Sequence, residues 1–177
     1  MYKRQLLLLI SFLGITSFVS YPEPTAEVGL INWMSWEEAM EAHKITPKKI
    51  FIDVYTDWCG YCKKMDKTTF TNTDVINTIN ENFYAVKFNA EQKEVIKFND
   101  AEFKFGNYGR RGAHELAYTL LDKRLAYPSF VYLDEQLRKI MPSPGYKQVP
   151  QLMQELSYIH TESYKEMSLA DYAKRAE

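Results

Sequence analysis

Residues 50–64 read IFIDVYTDWCGYCKK, and little freedom is left to a chain that contains them. Residues 50–55 are β-branched, aromatic and apolar on both faces apart from Asp53, the pattern of a central strand covered on each side. The run turns through Asp57 and Trp58 and delivers Cys59 and Cys62, the only cysteines of the chain. If the segment continues as a helix through Lys63, Lys64, Met65 and Asp66, Cys59 falls at its N-terminus and Cys62 one turn inside. Free backbone N–H groups and the positive end of the helix dipole stabilise a thiolate at that position, which makes Cys59 a nucleophile near neutral pH. Cys62, on the same face, is then placed to attack a mixed disulfide formed at Cys59.

The N-terminus bears on where this chemistry takes place. Lys3 and Arg4 precede an apolar run over residues 6–10 that continues through Phe12, Leu13, Ile15, Phe18 and Val19 to Pro22 and Pro24. This reads as a secretory signal peptide over residues 1–20, with 26 as the alternative boundary, better than as a full span of about 20 apolar residues. The expectation is an exported protein, periplasmic or secreted, with an uncleaved membrane anchor as the other outcome. In an oxidising compartment two cysteines commonly form a structural bridge, but one closing so short a loop contributes little chain-entropy stabilisation, so the spacing favours chemistry over stapling.

The 177 residues suit one domain over 31–160, preceded by the leader and followed by a polar tail over 161–177 that is either a loosely packed helix or frayed. Aromatic residues make up 15% of the chain, which favours a sheet-containing fold. A net charge of −1 with the signs interspersed gives no reason to expect a nucleic-acid partner. Ser35 and Glu38 match a capping box for a first helix that Thr46-Pro47 ends. After the cysteine helix, Thr73-Asp74 offers an N-cap for a helix carrying Val75, Ile76 and Ile79, and residues 84–89 read as a second buried strand. Residues 91–112 suggest a small hairpin about Asn99-Asp100 and then a loop; 113–121 reads as a helix. A third strand over 130–133 pairs with 137–140, Pro142, Pro144 and Gly145 form a turn, and Leu152, Met153, Leu156 and Ile159 mark a closing helix.

This order, with the stretch around Cys59, resembles the thioredoxin superfamily over roughly residues 31–159. The resemblance rests on Trp58-Cys59-Gly60-Tyr61-Cys62 after a buried strand, on Asp53 six residues before Cys59, on the strand carrying Lys87, and on Tyr127-Pro128 before an apolar strand. It implies an α/β thioredoxin fold, a mixed sheet flanked by helices, with an insertion at 91–125 before the proline strand. It implies that Asp53 is the buried acid that takes the proton of Cys62, and that Lys87 tunes it; the competing readings are an Asp bonded to nearby backbone and a solvated strand-edge lysine. Tyr127-Pro128 is similar to the family's cis-proline, which exposes the preceding backbone to an extended substrate beside the cysteines. Trp58 and Tyr61 would shape that surface. The Asp-Trp-Cys start and Lys63-Lys64-Met65 look most similar to exported thioredoxin-like proteins such as the carboxy-terminal domain of DsbD, whereas Gly60-Tyr61 departs from the Gly-Pro of general thioredoxins.

The expected activity is therefore thiol-disulfide oxidoreduction on protein disulfides, with the cysteine pair carrying the electrons, no further cofactor, and an upstream electron donor; a monomeric reductase is favoured over an oxidant or isomerase. A non-catalytic binding module on the same scaffold is the alternative, disfavoured because both cysteines, Asp53 and Pro128 are kept together. A zinc site would need two of His43, His114 and His160, which are not spaced as a pair, so no metal is expected. Arg110 and Arg111, between glycines, read either as contacts for an acidic partner or as a solvated loop.

Overall fold

The computed structural model describes residues 29–175, so the expected leader lies outside the described residues. The chain runs β1 (Trp33–Met34), α1 (Trp36–Ile45), β2 (Lys49–Tyr55), α2 (Gly60–Lys67), a 3₁₀ turn (Thr69–Thr71), α3 (Thr73–Asn82) and β3 (Phe83–Asn89). The insertion follows as β4 (Ile96–Phe98), β5 (Ala101–Phe103), β6 (Phe105–Gly106), β7 (Ala113–His114) and α4 (Glu115–Leu120). β8 (Ser129–Leu133), β9 (Lys139–Pro144), α5 (Val149–His160), a second 3₁₀ turn (Ser163–Lys165) and α6 (Leu169–Arg175) complete it. Among the described residues no helix is long and apolar enough to cross a membrane.

β2 is the middle strand of a five-stranded sheet ordered β1-β3-β2-β8-β9, parallel to β3 and antiparallel to β8. Its side chains alternate between two cores. Phe51 joins Phe70, Phe130 and Tyr132 beneath α3 and α5, while Ile50, Ile52 and Val54 join Trp36, Leu116 and Leu120 beneath α1 and α4. A strand covered on both faces explains the unbroken apolar run, and the alternation puts Asp53 on the Phe51 side.

Several local expectations need correction. β1 leaves no signal in the sequence, because two residues carry no periodicity; it adds to β3 in parallel. α3 is capped by Asn72, whose Oδ1 accepts from the N–H of Asp74 at 3.0 Å and Val75 at 3.2 Å, rather than by Thr73-Asp74. The expected helix over 113–121 starts two residues late, because Ala113–His114 pairs with Phe105–Gly106. The hairpin at Asn99-Asp100 forms as expected, with φ of 48° and 60° at its two turn residues. Pro142 and Pro144 lie inside β9 rather than in a turn, opposite Val131 and Ser129. β9 is the sheet edge, where the missing proline N–H groups leave no ladder bond unmade on the open side. The segment after α5 is helical and docked: Tyr164, Met167, Leu169 and Tyr172 pack against the core beside α5.

Candidate active site

At the C-terminal end of β2 the backbone leaves the sheet, and the N–H of Cys59 donates to the Thr56 carbonyl at 3.0 Å. Cys59 then becomes the N-cap of α2, its Sγ accepting from the Cys62 N–H at 3.1 Å. The two cysteines are joined as a disulfide, S–S 2.04 Å, and are almost wholly buried at 4% and 2% exposure. The side chains beside them are open: Trp58 is 50% and Tyr61 62% exposed, which leaves apolar area around the sulfurs for a partner to cover. An N-cap position gives a Cys59 thiolate one oriented backbone donor and the positive end of the helix.

Asp53 is fully buried in β2, paired in register with Lys87 of β3. Lys87 Nζ donates to Asp53 Oδ2 at 2.6 Å and also to Asp66 Oδ1 on α2. Burial pushes the Asp53 carboxyl up to about 6, against the pull of Lys87, with the Asp66 charge adding to the rise. Burial also works to strip the proton from Lys87, but Asp53 and Asp66 together hold it above the usual lysine value. Lys87 is therefore a fixed cation between two carboxylates, and Trp33, Phe70 and Tyr55 place their rings 4.8, 5.1 and 5.2 Å from its Nζ. The solvated strand-edge reading of this lysine is wrong. Asp53 Oδ1 has no hydrogen-bond partner among the described residues, so the backbone-bonded reading of Asp53 also fails and one acceptor oxygen is left free.

The Tyr127-Pro128 bond is cis. The Tyr127 ring stands edge-on to Trp58 with centroids 5.8 Å apart, and burial, assisted by the Glu91 charge, pushes its hydroxyl up to about 12, so it stays neutral. Trp58 Nε1–H donates to Glu91 Oε1 at 3.0 Å and the Arg111 guanidinium lies 5.1 Å over its ring. Tyr61 belongs to the opposite flank, 5.8 Å from Tyr146, whose ring also carries Lys64 at 4.9 Å. The sequence-derived residues thus fall into three places: the disulfide, the buried Asp53–Lys87 pair, and two aromatic rims. Asp66, Glu91 and Tyr146 were missed. Each is an ordinary polar or aromatic residue whose neighbour is 12 or more positions away, so only the crossing of elements brings the contact about. His43 and His114 bind backbone carbonyls, at 2.9 and 3.0 Å, and among the described residues no group of three metal-ligating side chains forms.

An α/β sheet carrying a cysteine pair with two intervening residues at the mouth of a helix is a disulfide-oxidoreductase type of fold. The chain belongs to the thioredoxin-like domain family, which it matches over residues 36–160. It is similar to the thiol:disulfide interchange protein DsbD of Pseudoalteromonas atlantica, 33% identical over 48 residues, which are 27% of this chain and 8% of that protein. It is also similar to spermatogenesis-associated protein 20 of Rattus norvegicus, 31% identical over 64 residues, 36% of this chain and 8% of the other. The match therefore spans under a tenth of either relative. Among solved structures, a thioredoxin-fold protein from Helicobacter pylori superposes with a TM-score of 0.56 at 17% identity, over 85% of this chain and 94% of that one, a likeness of fold.

Proposed function

We propose that this protein is an exported thiol-disulfide oxidoreductase that reduces disulfides in polypeptide substrates and acts as a monomer. The observation that carries the reading is the Cys59–Cys62 disulfide at the N-cap of α2, on a scaffold that buries an acid of raised pKa with one oxygen unpartnered. Export is supported by the basic and then apolar N-terminal run, and thiol:disulfide interchange is the activity for which DsbD, one of its relatives, is named.

In the reduced protein the Cys59 thiolate attacks one sulfur of a substrate disulfide. A Cys59–substrate disulfide forms and the other substrate sulfur leaves as a thiolate, which takes a proton from water. Cys62 then gives its proton to Asp53 and attacks Cys59 Sγ, which expels the second substrate sulfur as a thiolate that Asp53 can reprotonate, and closes Cys59–Cys62. Two electrons have passed to the substrate, and an upstream dithiol donor restores them. Trp58, Tyr61, Tyr127 and Pro128 frame the surface on which the substrate lies, and Lys87 holds Asp53 in place.

Equilibration with glutathione, read by thiol labelling, tests the direction. A potential near about −270 mV supports a reductase, and one near about −120 mV would make the protein an oxidant. Cys59→Ser abolishes turnover and Cys62→Ser accumulates a mixed disulfide. A protein fully active without Cys59 is not working by this route.

A further inference from the structure

The loop at 107–112 walls one side of a cavity of about 380 Å3, and Trp58 and Tyr127 wall the other. Those two residues directly precede Cys59 and Pro128 in the chain, so the cavity opens beside the disulfide. Arg110 and Arg111 line it, both exposed, and neither takes part in an ion pair among the described residues. Glu91, the acid of the same wall, is engaged by the Trp58 indole N–H.

The charge pattern extends beyond the cavity. On the other side of the cysteines, Lys63, Lys64 and Lys67 of α2 are exposed and likewise in no ion pair among the described residues. Of the nearby acids Asp66 holds Lys87, while Asp57 and Glu91 accept only from the neutral groups of Asn89 and Trp58 and keep their charge. Arg110, Arg111, Lys63, Lys64 and Lys67 outnumber these two carboxylates, so a chain whose net charge is −1 carries a positive excess around its disulfide. A cavity of this size takes a side chain and a short stretch of backbone, not a folded surface. Two guanidinium groups at its mouth match a carboxylate, which can accept paired N–H bonds from one of them.

Building on the oxidoreductase reading above, we propose that this cavity is a subsite for an acidic side chain of an extended substrate, so that the protein favours disulfides flanked by Asp or Glu. Trp58, which lines the cavity, is the chain neighbour of Cys59, so the acidic residue would lie within a few positions of the substrate cysteine. The α2 lysines add a longer-range attraction of the same sign.

The test uses three extended peptides, each a disulfide-linked pair whose single cysteine is flanked by Glu, by Gln or by Lys. Oxidation of the dithiothreitol-reduced protein by each, in a single turnover at low salt, is followed by thiol labelling. The Glu peptide should react about fivefold faster than the Gln peptide, the scale of one partly screened charge pair, and the Lys peptide slowest. In Arg110→Gln/Arg111→Gln the Glu-over-Gln ratio should fall below about twofold, what remains being due to the α2 lysines. A ratio that survives in that variant overturns the subsite, as do equal rates for all three peptides on the parent protein, and both results leave the oxidoreductase reading intact. If none of the peptides oxidises the reduced protein, both readings fall.

Discussion

Asp53 is the residue in which stability and chemistry oppose each other. Its carboxyl titrates near 6 in the folded chain against an ordinary value of 3.8, so between those limits the folded state holds a proton that the unfolded state has released. Stability from this group is complete below about pH 4 and is lost as the pH rises through about 6; the shift corresponds to about 3 kcal/mol. Asp53→Asn cannot titrate. The difference in unfolding free energy between the variant and the parent should therefore move by about 3 kcal/mol in favour of Asn between pH 3.5 and 7.5, most of it between 4 and 6. Urea unfolding of the two oxidised proteins across that range measures it, and a difference that stays flat would mean that the fold leaves the Asp53 carboxyl at its ordinary pKa. Asp53 was legible in the sequence because an acid inside an apolar strand needs a reason. The second carboxylate on Lys87 was not, since Asp66 sits on α2 among lysines and meets β3 only through the packing of that helix on the sheet.

At the scale of elements, the 91–125 insertion packs Ile96, Leu116 and Leu120 into the core and is pinned to the sheet end by hydrogen bonds of one buried histidine. The backbone N–H of His114 donates to the Ala90 carbonyl at 2.6 Å, its Nδ1 accepts from the Leu116 N–H at 3.2 Å as the cap of α4, and Nε2–H donates to the Glu94 carbonyl at 3.0 Å. Its ring stands edge-on to Phe88 at 5.5 Å. This bonding needs the neutral ring, and burial lowers the His114 pKa below its ordinary 6.5. The unfolded chain gains a proton that the fold refuses, so this contribution is present above about pH 6.5 and is lost as the pH falls toward the folded value. His114→Ala removes both ring bonds and leaves a cavity, for a loss of about 2–4 kcal/mol. Hydrogen exchange should quicken first at 94–116 while β2 and β3 stay protected, and uniform quickening would mean that the insertion and the sheet open as one unit. The sequence placed the hairpin correctly because Asn99-Asp100 is a turn signal. It misread Ala113–His114 as helix because a two-residue bridge leaves no pattern, and it misread β9 because proline in a sequence reads as a break unless the strand is known to be an edge.

Across the whole molecule, the redox site and the C-terminal segment lie at opposite ends of β2. The disulfide follows the Tyr55 end; Lys49, at the other end, is buried and donates to Glu135 at 2.6 Å and Glu162 at 3.1 Å. Seven residues of extended chain put about 20 Å between them. Beyond Glu162, Tyr158 Oη–H donates to the Met167 carbonyl at 2.7 Å, and the Ser157 and Tyr172 hydroxyls are 2.9 Å apart. A polar segment with scattered Tyr, Met and Leu gives no strong periodicity, so the sequence does not show its docking; what decides it is Tyr158 of α5, whose ring packs on Tyr164 and Tyr172. Ending the chain after His160 uncovers Tyr158 and takes one of two carboxylates from a buried lysine. We expect a loss of about 2–4 kcal/mol, the scale of re-exposing a few half-buried apolar side chains. The glutathione equilibrium of Cys59 and Cys62 should not move, because the segment's polar contacts among the described residues are with α5 and with Lys49 at the near end of β2. Urea unfolding and thiol labelling on the shortened chain separate the two outcomes. Unchanged stability would show that the docked helix contributes nothing to the fold, and a shifted potential would show that the sheet transmits the state of its distal end to the disulfide.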